Sequence, residues 1–239
     1  MEAAIKEQKR SAAEPGKPSK PARRPRRRMA AEDREVEIVR HATAYFAEHG
    51  LSAGTIKLAR RIGITQPLLY KYFPTKDALI DKVYEQLLPQ NWDPTWESLI
   101  EDETIPLPIR LKKFYTGYVT SVLTYEHVRL FLFSGLGRNE FNARCYAILS
   151  KRIFERIALA LRREYGPPSD SPSVQKSDLE LVQSLHAVMY HLAYRRYVHQ
   201  EPMPDDLSEL VSLKVDTFLY GAVNALSGAQ RDQASELPR

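Results

Sequence analysis

The sequence predicts an all-α protein, with a small N-terminal three-helix domain holding a helix-turn-helix and a larger helical domain behind it. Three observations carry this prediction. From residue 31 onward, large apolar residues recur at three- and four-residue spacing, the period of one helix face. No stretch shows the apolar/polar alternation with hairpin turns that marks a half-buried strand. Gly and Pro punctuate the periodic stretches, at Gly50, Gly63, Pro74, Pro106, Gly137, Gly166 to Pro168, and Pro202/Pro204.

The first predicted helix starts at Ala31, with Val36, Ile38, Val39, Ala42, Tyr45 and Phe46 as its apolar positions. Asp33, Glu35 and Glu37 lie early in it, favourable near the positive end of the helix dipole. His49-Gly50 ends it, Gly50 being suited to a left-handed stop. The second runs from about Ser52 to Ile62, with Ile56, Ala59 and Ile62 on its apolar face. Gly63 breaks it. Thr65 is the N-cap of the third helix, Gln66 to about Phe73, in which Pro67 is tolerated because the first turn lacks intrahelical N–H partners. Pro74 stops that helix. Thr75 caps a fourth, with Leu79, Ile80, Val83, Leu87 and Leu88 as its apolar positions. A helix, a tight Gly turn and a second short helix form the helix-turn-helix plan. Ala59 is small where two helices cross, Ile64 is a core plug, and Leu69 faces the core. Further helices are predicted near 95–104, 106–125, 126–136, 138–165, 174–200 and 206–227.

Charge is distributed unevenly. The 239 residues carry 35 Lys and Arg against 30 Asp and Glu, net +5. Residues 1–31 hold ten basic and three acidic residues (+7), residues 32–88 eight of each, and residues 89–239 seventeen basic and nineteen acidic (−2). The excess therefore lies in the first 31 residues, which also carry Pro15, Pro18, Pro21 and Pro25 and almost no large apolar side chain. Such a segment buries too little surface to offset its ordering entropy, so 1–30 is expected to be a disordered basic arm. Its centre is Arg23, Arg24, Arg26, Arg27 and Arg28. Either it is a solubilising tail or it reaches DNA, where Arg inserts into narrow minor grooves.

Other classes are excluded or disfavoured. No apolar run approaches 18 residues, so no membrane-spanning helix is expected. The basic N-terminus lacks the apolar stretch of a secretory signal. One cysteine, Cys145, forms neither an internal disulfide nor a thiolate cluster. The chain is thus expected to be cytoplasmic. His186 and His191 lie on different helix faces, and no metal or other cofactor is expected. Asp205-Asp206 beside Ser208-Glu209 read as a helix start. No phosphate loop or nucleophile motif is present, so no catalytic residues are expected.

The run Gly63-Ile64-Thr65-Gln66-Pro67-Leu68-Leu69-Tyr70-Lys71-Tyr72-Phe73-Pro74-Thr75-Lys76-Asp77-Ala78-Leu79 resembles the DNA-binding domain of the TetR family of transcriptional regulators. It holds a Gly-Val-Ser-like turn, then Leu-Tyr-x-Tyr-Phe, a turn, and Lys-x-x-Leu, all at the family's spacing over roughly 34–88. The resemblance implies a DNA-binding domain at 31–76, a ligand-binding and dimerisation domain at 77–227 and a flexible tail at 228–239. It also implies a homodimer on a double-stranded DNA operator, and a repressor released by a small-molecule effector. Gln66, Pro67, Leu68 and Tyr70 would face the major groove, where an amide pairs with adenine and apolar groups touch thymine methyls. Thr65, Lys71, Tyr72 and Lys76 would meet phosphates. The family places two adjacent hydroxyl residues at the start of the second helix. Here they read Gly54-Thr55 after a shorter turn, so Thr55 keeps one phosphate contact and Ser52 stands in as cap or contact. In the larger domain, Tyr118, Val122, Phe141 and Tyr146 are expected to line an effector pocket. Leu181, Leu185, Val188 and Met189, with Leu210, Leu213, Phe218, Val223 and Leu226, are the candidate dimer stripes. Two alternatives remain: a helical small-molecule-binding protein that does not use the motif, and a constitutive DNA-binding regulator without an effector.

The helix-turn-helix carries no net charge, so the arm is the main electrostatic anchor. Deleting residues 1–28 should weaken operator binding and flatten its salt dependence, the log–log slope falling by about 0.9 for each phosphate that is no longer neutralised. Anisotropy titrations over a salt series measure this, and an unchanged slope refutes it.

Overall fold

A computed structural model describes residues 31–87, 92–136, 141–168 and 172–226. The basic arm, Leu88 and the tail lie outside the described residues. Within them the fold is all-α: α1 (Ala31–His49), α2 (Thr55–Ile62), α3 (Gln66–Tyr72), α4 (Lys76–Leu87), α5 (Trp96–Glu101), α6 (Leu107–Ser121), α7 (Tyr125–Leu136), α8 (Phe141–Leu149), α9 (Glu155–Tyr165), α10 (Lys176–Tyr194) and α11 (Ser208–Leu226). Helices α8 and α9 are one continuous rod joined by a π-helical turn, Ser150–Phe154, and a second π turn, Arg195–His199, extends α10. No described helix is long and apolar enough to cross a membrane.

The N-terminal helices form around Ile38, Val39, Ala42 and Phe46 of α1, Leu58 and Ala59 of α2, Leu69 of α3 and Leu79 and Val83 of α4, all buried. Gly50 (φ +82°) and Gly63 (φ +75°) take the left-handed conformation where α1 and α2 stop, as the sequence suggests. Thr65 caps α3 by accepting the Leu68 N–H (3.4 Å), and Thr75 caps α4 by accepting the Ala78 N–H (3.0 Å). The second helix departs from expectation. It begins at Thr55, because residues 51 and 52 form a turn in which the Ala53 N–H bonds the Gly50 carbonyl (3.2 Å). Its buried face is Thr55, Leu58 and Ala59, while Ile56 is 59% exposed. The buried face thus centres on Leu58 rather than on the Ile56-Ala59-Ile62 row read from sequence, because the neighbouring helices meet α2 on that side.

Behind this unit α6 packs on α11, α9 and α10, and α7 packs on α1. Between α6, α7, α8 and α10 the core is rich in rings: Phe114, Tyr115, Tyr118, Phe154 and His186 are buried together. The first turn of α10 is fixed by Asp178, which accepts from the Arg162 guanidinium of α9 (2.6 Å) and from the Gln175 N–H (2.8 Å) in a capping box. Of the apolar residues offered for the α10 dimer stripe, Leu185 and Met189 pack inside the chain, Leu181 is half-buried and Val188 is exposed. On α11, Leu213 is exposed, and Leu210, Phe218 and Val223 are half-buried.

Burial holds the imidazoles of His127 and His186 neutral, lowering their titration from 6.5 to about 4 and about 3. The unfolded chain takes up these protons near pH 6.5 and the folded chain does not. The stability these groups contribute is therefore complete above that value and is lost as pH falls toward the folded values. Unfolding free energy should drop by on the order of 3 kcal/mol between pH 7 and pH 5. Urea titrations at the two pH values check this, and a flat profile contradicts it.

Candidate nucleic-acid interface and the larger domain

Helix α3 has two faces with different tasks. Leu69 is 1% exposed, and Phe73, which ends the helix by donating its N–H to the Leu69 carbonyl (3.0 Å), is buried beside it. Burying Leu69 contributes roughly 2 kcal/mol. The opposite face is open: Pro67, Leu68, Tyr70 and Lys71 are exposed, and Gln66 and Tyr72 are half-buried. Thr65 is exposed as the cap.

Thr55 does not stand where a phosphate contact requires. It is 7% exposed, and its hydroxyl lies inside the motif, accepting from Gln66 Nε2 (3.0 Å) and bonding the Tyr70 hydroxyl (3.0 Å). Its hydroxyl therefore ties two α3 side chains to the first turn of α2. Glycine at position 54 leaves open space beside this network, and the Gly54 carbonyl accepts from the Tyr45 hydroxyl of α1 (3.2 Å). Lys76 is half-buried, with its ammonium 5.9 Å from the centre of the Phe46 ring, a cation–π position.

The structure adds side chains that the sequence reading omitted. A groove of about 690 Å³ runs beside Gln66, lined by His49, Gly54, Ile56, Lys57 and Arg60. Lys57 and Arg60 are exposed there, whereas Arg61 is tied to Glu48 of α1 (2.6 Å). The signal was present in the basic run of α2, but it needed the correct helix phase to be read. The arginines at 23, 24, 26, 27 and 28 lie outside the described residues.

In the larger domain, three of the four residues expected to line a pocket are buried against other side chains. Tyr118, Val122 and Phe141 are at most 3% exposed, and rings fill the space around them: Phe141 stacks on Tyr84 (4.1 Å between centroids), and Tyr118 lies 5.1 Å from His186. Only Tyr146 reaches the surface, at 47% exposure. Apolar rings close on one another when nothing separates them, which spacing along one helix cannot reveal. Among the described residues, no group of His, Cys, Asp and Glu is arranged to hold a metal ion.

Helix α7 joins the two parts. Arg129 Nε donates to the Ala47 carbonyl near the end of α1 (2.5 Å), and the Phe133 ring lies 3.9 Å from where a side chain on Gly50 would begin. The Tyr84 hydroxyl of α4 donates to the Leu130 carbonyl (3.5 Å), and the Tyr190 hydroxyl of α10 to the Val128 carbonyl (3.2 Å).

Residues 38–83, which contain this capped helix-turn-helix, match the family of bacterial regulatory proteins of the tetR type. The whole fold is similar to solved regulators. A tetR-family transcriptional regulator from Streptomyces coelicolor shares 21% identity at a TM-score of 0.60, over 87% of each chain. AmtR of Mycobacterium smegmatis shares 21% identity at a TM-score of 0.57, over 90% of this chain and all of that one. A TetR-like regulator from Rhodococcus sp. RHA1 shares 17% identity at a TM-score of 0.58, over 81% of this chain and all of that one. Residues 38–83 thus carry the helix-turn-helix of the tetR-family regulators, and the fold of the chain is the one these solved regulators share.

Proposed function

We propose that the protein is a homodimeric repressor that binds a pseudo-palindromic operator and is released from it by a small-molecule effector. The observation that carries the DNA half of this reading is α3. Its cap and Leu69 anchor it, while its first turn exposes Pro67 and Leu68 beside a half-buried Gln66, whose amide is held by Thr55. Gln66 would read adenine by its amide, Pro67 and Leu68 would touch thymine methyls, and Tyr70 would flank them. Thr65, Lys71, Tyr72 and Lys76, with Lys57 and Arg60 added from the structure, would hold phosphates, which position the protein without reading sequence. Thr55 acts through Gln66 and Tyr70 as a positioning residue. The arginines of the 1–30 arm would add a minor-groove or phosphate contact.

The domain at 77–227 would pair two copies. Helix α10 presents Gln183, Ser184, Ala187, Val188 and His191 along one open stripe, and α11 presents Leu213 and Thr217. Such a stripe, with Ala187, Val188 and Leu213 among short polar side chains and no Lys, Arg, Asp or Glu in it, suits packing against a second copy. Pairing would set two recognition helices about 34–36 Å apart, or a multiple of that, for successive major grooves. The protein would act in the cytoplasm by binding rather than by catalysis. Effector and operator would oppose each other by the same factor in both directions, as linkage requires.

Anisotropy against the DNA flanking its own gene tests the reading, and only weak, sequence-independent binding at physiological salt would sink it. Gln66→Ala should cost about 1–3 kcal/mol on the operator and little on random DNA. Lys71→Ala should weaken both alike and lower the salt slope by about 0.9. Thr55→Val should lower operator affinity and destabilise the fold by about 1–2 kcal/mol, read by denaturant melts, because two bonds in a buried site lose their partner.

A further inference from the structure

Among the described residues, seven buried side-chain polar atoms of the larger domain have no hydrogen-bond partner; besides Arg110 Nε, Ser134 Oγ, Asn142 Oδ1 and Asp178 Oδ1, these are the Tyr115 hydroxyl on α6, His127 Nδ1 on α7 and His186 Nδ1 on α10, the three on aromatic rings. Other core tyrosines do find partners; Tyr84, Tyr190 and Tyr45 each reach a carbonyl. A buried donor or acceptor with nothing to bond has lost its water without replacement, so a cluster of them marks a place kept for something else. Tyr115 and His186 lie 6.3 Å apart by ring centroid, and His186 is 5.1 Å from Tyr118 and 5.0 Å from Phe154.

Phe154 links this cluster to the surface. It belongs to the π turn between α8 and α9, an irregularity that recurs at functional sites. It also lines a groove of about 610 Å³ between that rod and α10, together with Tyr146, Ala147 and Ser150 on one wall and Glu180, Gln183, Ser184 and Ala187 of α10 on the other. Among the described residues that line it, Glu180 alone is charged, and it is exposed; none is Lys or Arg.

We infer that the effector occupies this groove, deepened by a swing of the Phe154 ring, and that it is an uncharged, flat-ringed molecule whose hydroxyl or carbonyl bonds the Tyr115 hydroxyl and the His186 imidazole. This rests on the effector-released repressor proposed above. Charge selects the class. Burial keeps both histidines neutral and pushes the neighbouring Cys145 thiol up to about 12, so an anionic head meets no cation inside, and a cationic one meets only Glu180 at the rim. Rings on three sides supply flat apolar walls, and the unpartnered atoms supply the few convergent polar groups of a small-molecule site. Gln183, Ser184 and Ala187 also lie on the α10 stripe proposed for the second copy, so the outer α10 wall of the groove is shared with the dimer contact and the α8 wall at Tyr146, Ala147 and Ser150 is the one left to the ligand.

The test uses the full chain and three probes that share one skeleton: 1-naphthol, naphthalene and 1-naphthoate, by equilibrium dialysis at neutral pH. The expected result is saturable binding of 1-naphthol about ten-fold tighter than either of the others, the worth of one net hydrogen bond. Tyr115→Phe and His186→Phe should abolish the preference for naphthol over naphthalene while keeping naphthalene bound. Ala147→Trp, on the exposed face of α8, should block all three probes without touching the core, so the inference stays testable if the core variants do not fold. Naphthoate binding as tightly as naphthol, no saturable naphthol binding, a preference that survives both core variants, or naphthol binding that survives Ala147→Trp overturns it. Binding to the DNA flanking its own gene is measured alongside. Retained specific DNA binding with failed probes sinks this inference alone, whereas absent specific DNA binding sinks the repressor reading beneath it.

Discussion

The contact on which the rest of the structure depends is the seating of α7 on the end of α1. The last carbonyls of any α-helix lack intrahelical partners, and that end carries partial negative charge. Arg129 answers both needs at once, donating to the Ala47 carbonyl at 2.5 Å, and its guanidinium is itself held over the Tyr125 and Phe133 rings. The Phe133 ring then closes on Gly50, where the positive φ that ends α1 already demands glycine. A conformational stop, an orphan carbonyl and a cation thus converge on one turn. That turn is where the helix-turn-helix begins, because the chain passes from Gly50 through the Ala53 turn into α2.

From that seat, order runs both ways. Toward the DNA-binding side, Tyr45 of α1 bonds the Gly54 carbonyl, Thr55 follows, and its hydroxyl gathers Gln66 and Tyr70 of α3. Each bond is worth about 1 kcal/mol net, but in sequence they set the azimuth of a seven-residue helix too short to be stable alone. Toward the other side, Tyr84 and Tyr190 bond carbonyls of α7 from α4 and α10. Helix α7 is therefore gripped by the core that holds His186 and by the helix that leads into the recognition unit. In the proposed regulator, a molecule that moves Phe154 and His186 disturbs the same core that grips α7, and α7 cannot shift without moving the end of α1.

Composition already separated the electrostatics. The helix-turn-helix holds eight basic and eight acidic residues, and the structure uses part of that balance internally, pairing Arg61 with Glu48 and Arg34 with Glu37 (3.0 Å). What stays outward on α2 and α3 is a small set, Lys57, Arg60 and Lys71. A neutral count therefore hides a basic face, since charges paired along the back of a domain do not contribute to the field at its front.

Much was legible in the sequence because local rules decide it. Gly50 and Gly63 as stops, Thr65 and Thr75 as caps, Leu69 as the anchor and the order of the helices all follow from backbone conformation and apolar period, which a single strand of text contains. The phase of α2 was not legible. Thr55 is buried and Ile56 exposed because α3 meets α2 on the Thr55 side, a contact that no spacing within α2 contains. Aromatic content announced a ring-rich core, yet whether Tyr118, Val122 and Phe141 line a space or fill it depends on what the other helices bring to them. Sequence alone determined the fold class and the motif, because these rest on neighbours along the chain. Tertiary structure alone decided which hydroxyl is buried, which polar atoms are left unpaired and where a groove opens, because these depend on residues as far apart as Tyr115 and His186 meeting in one core.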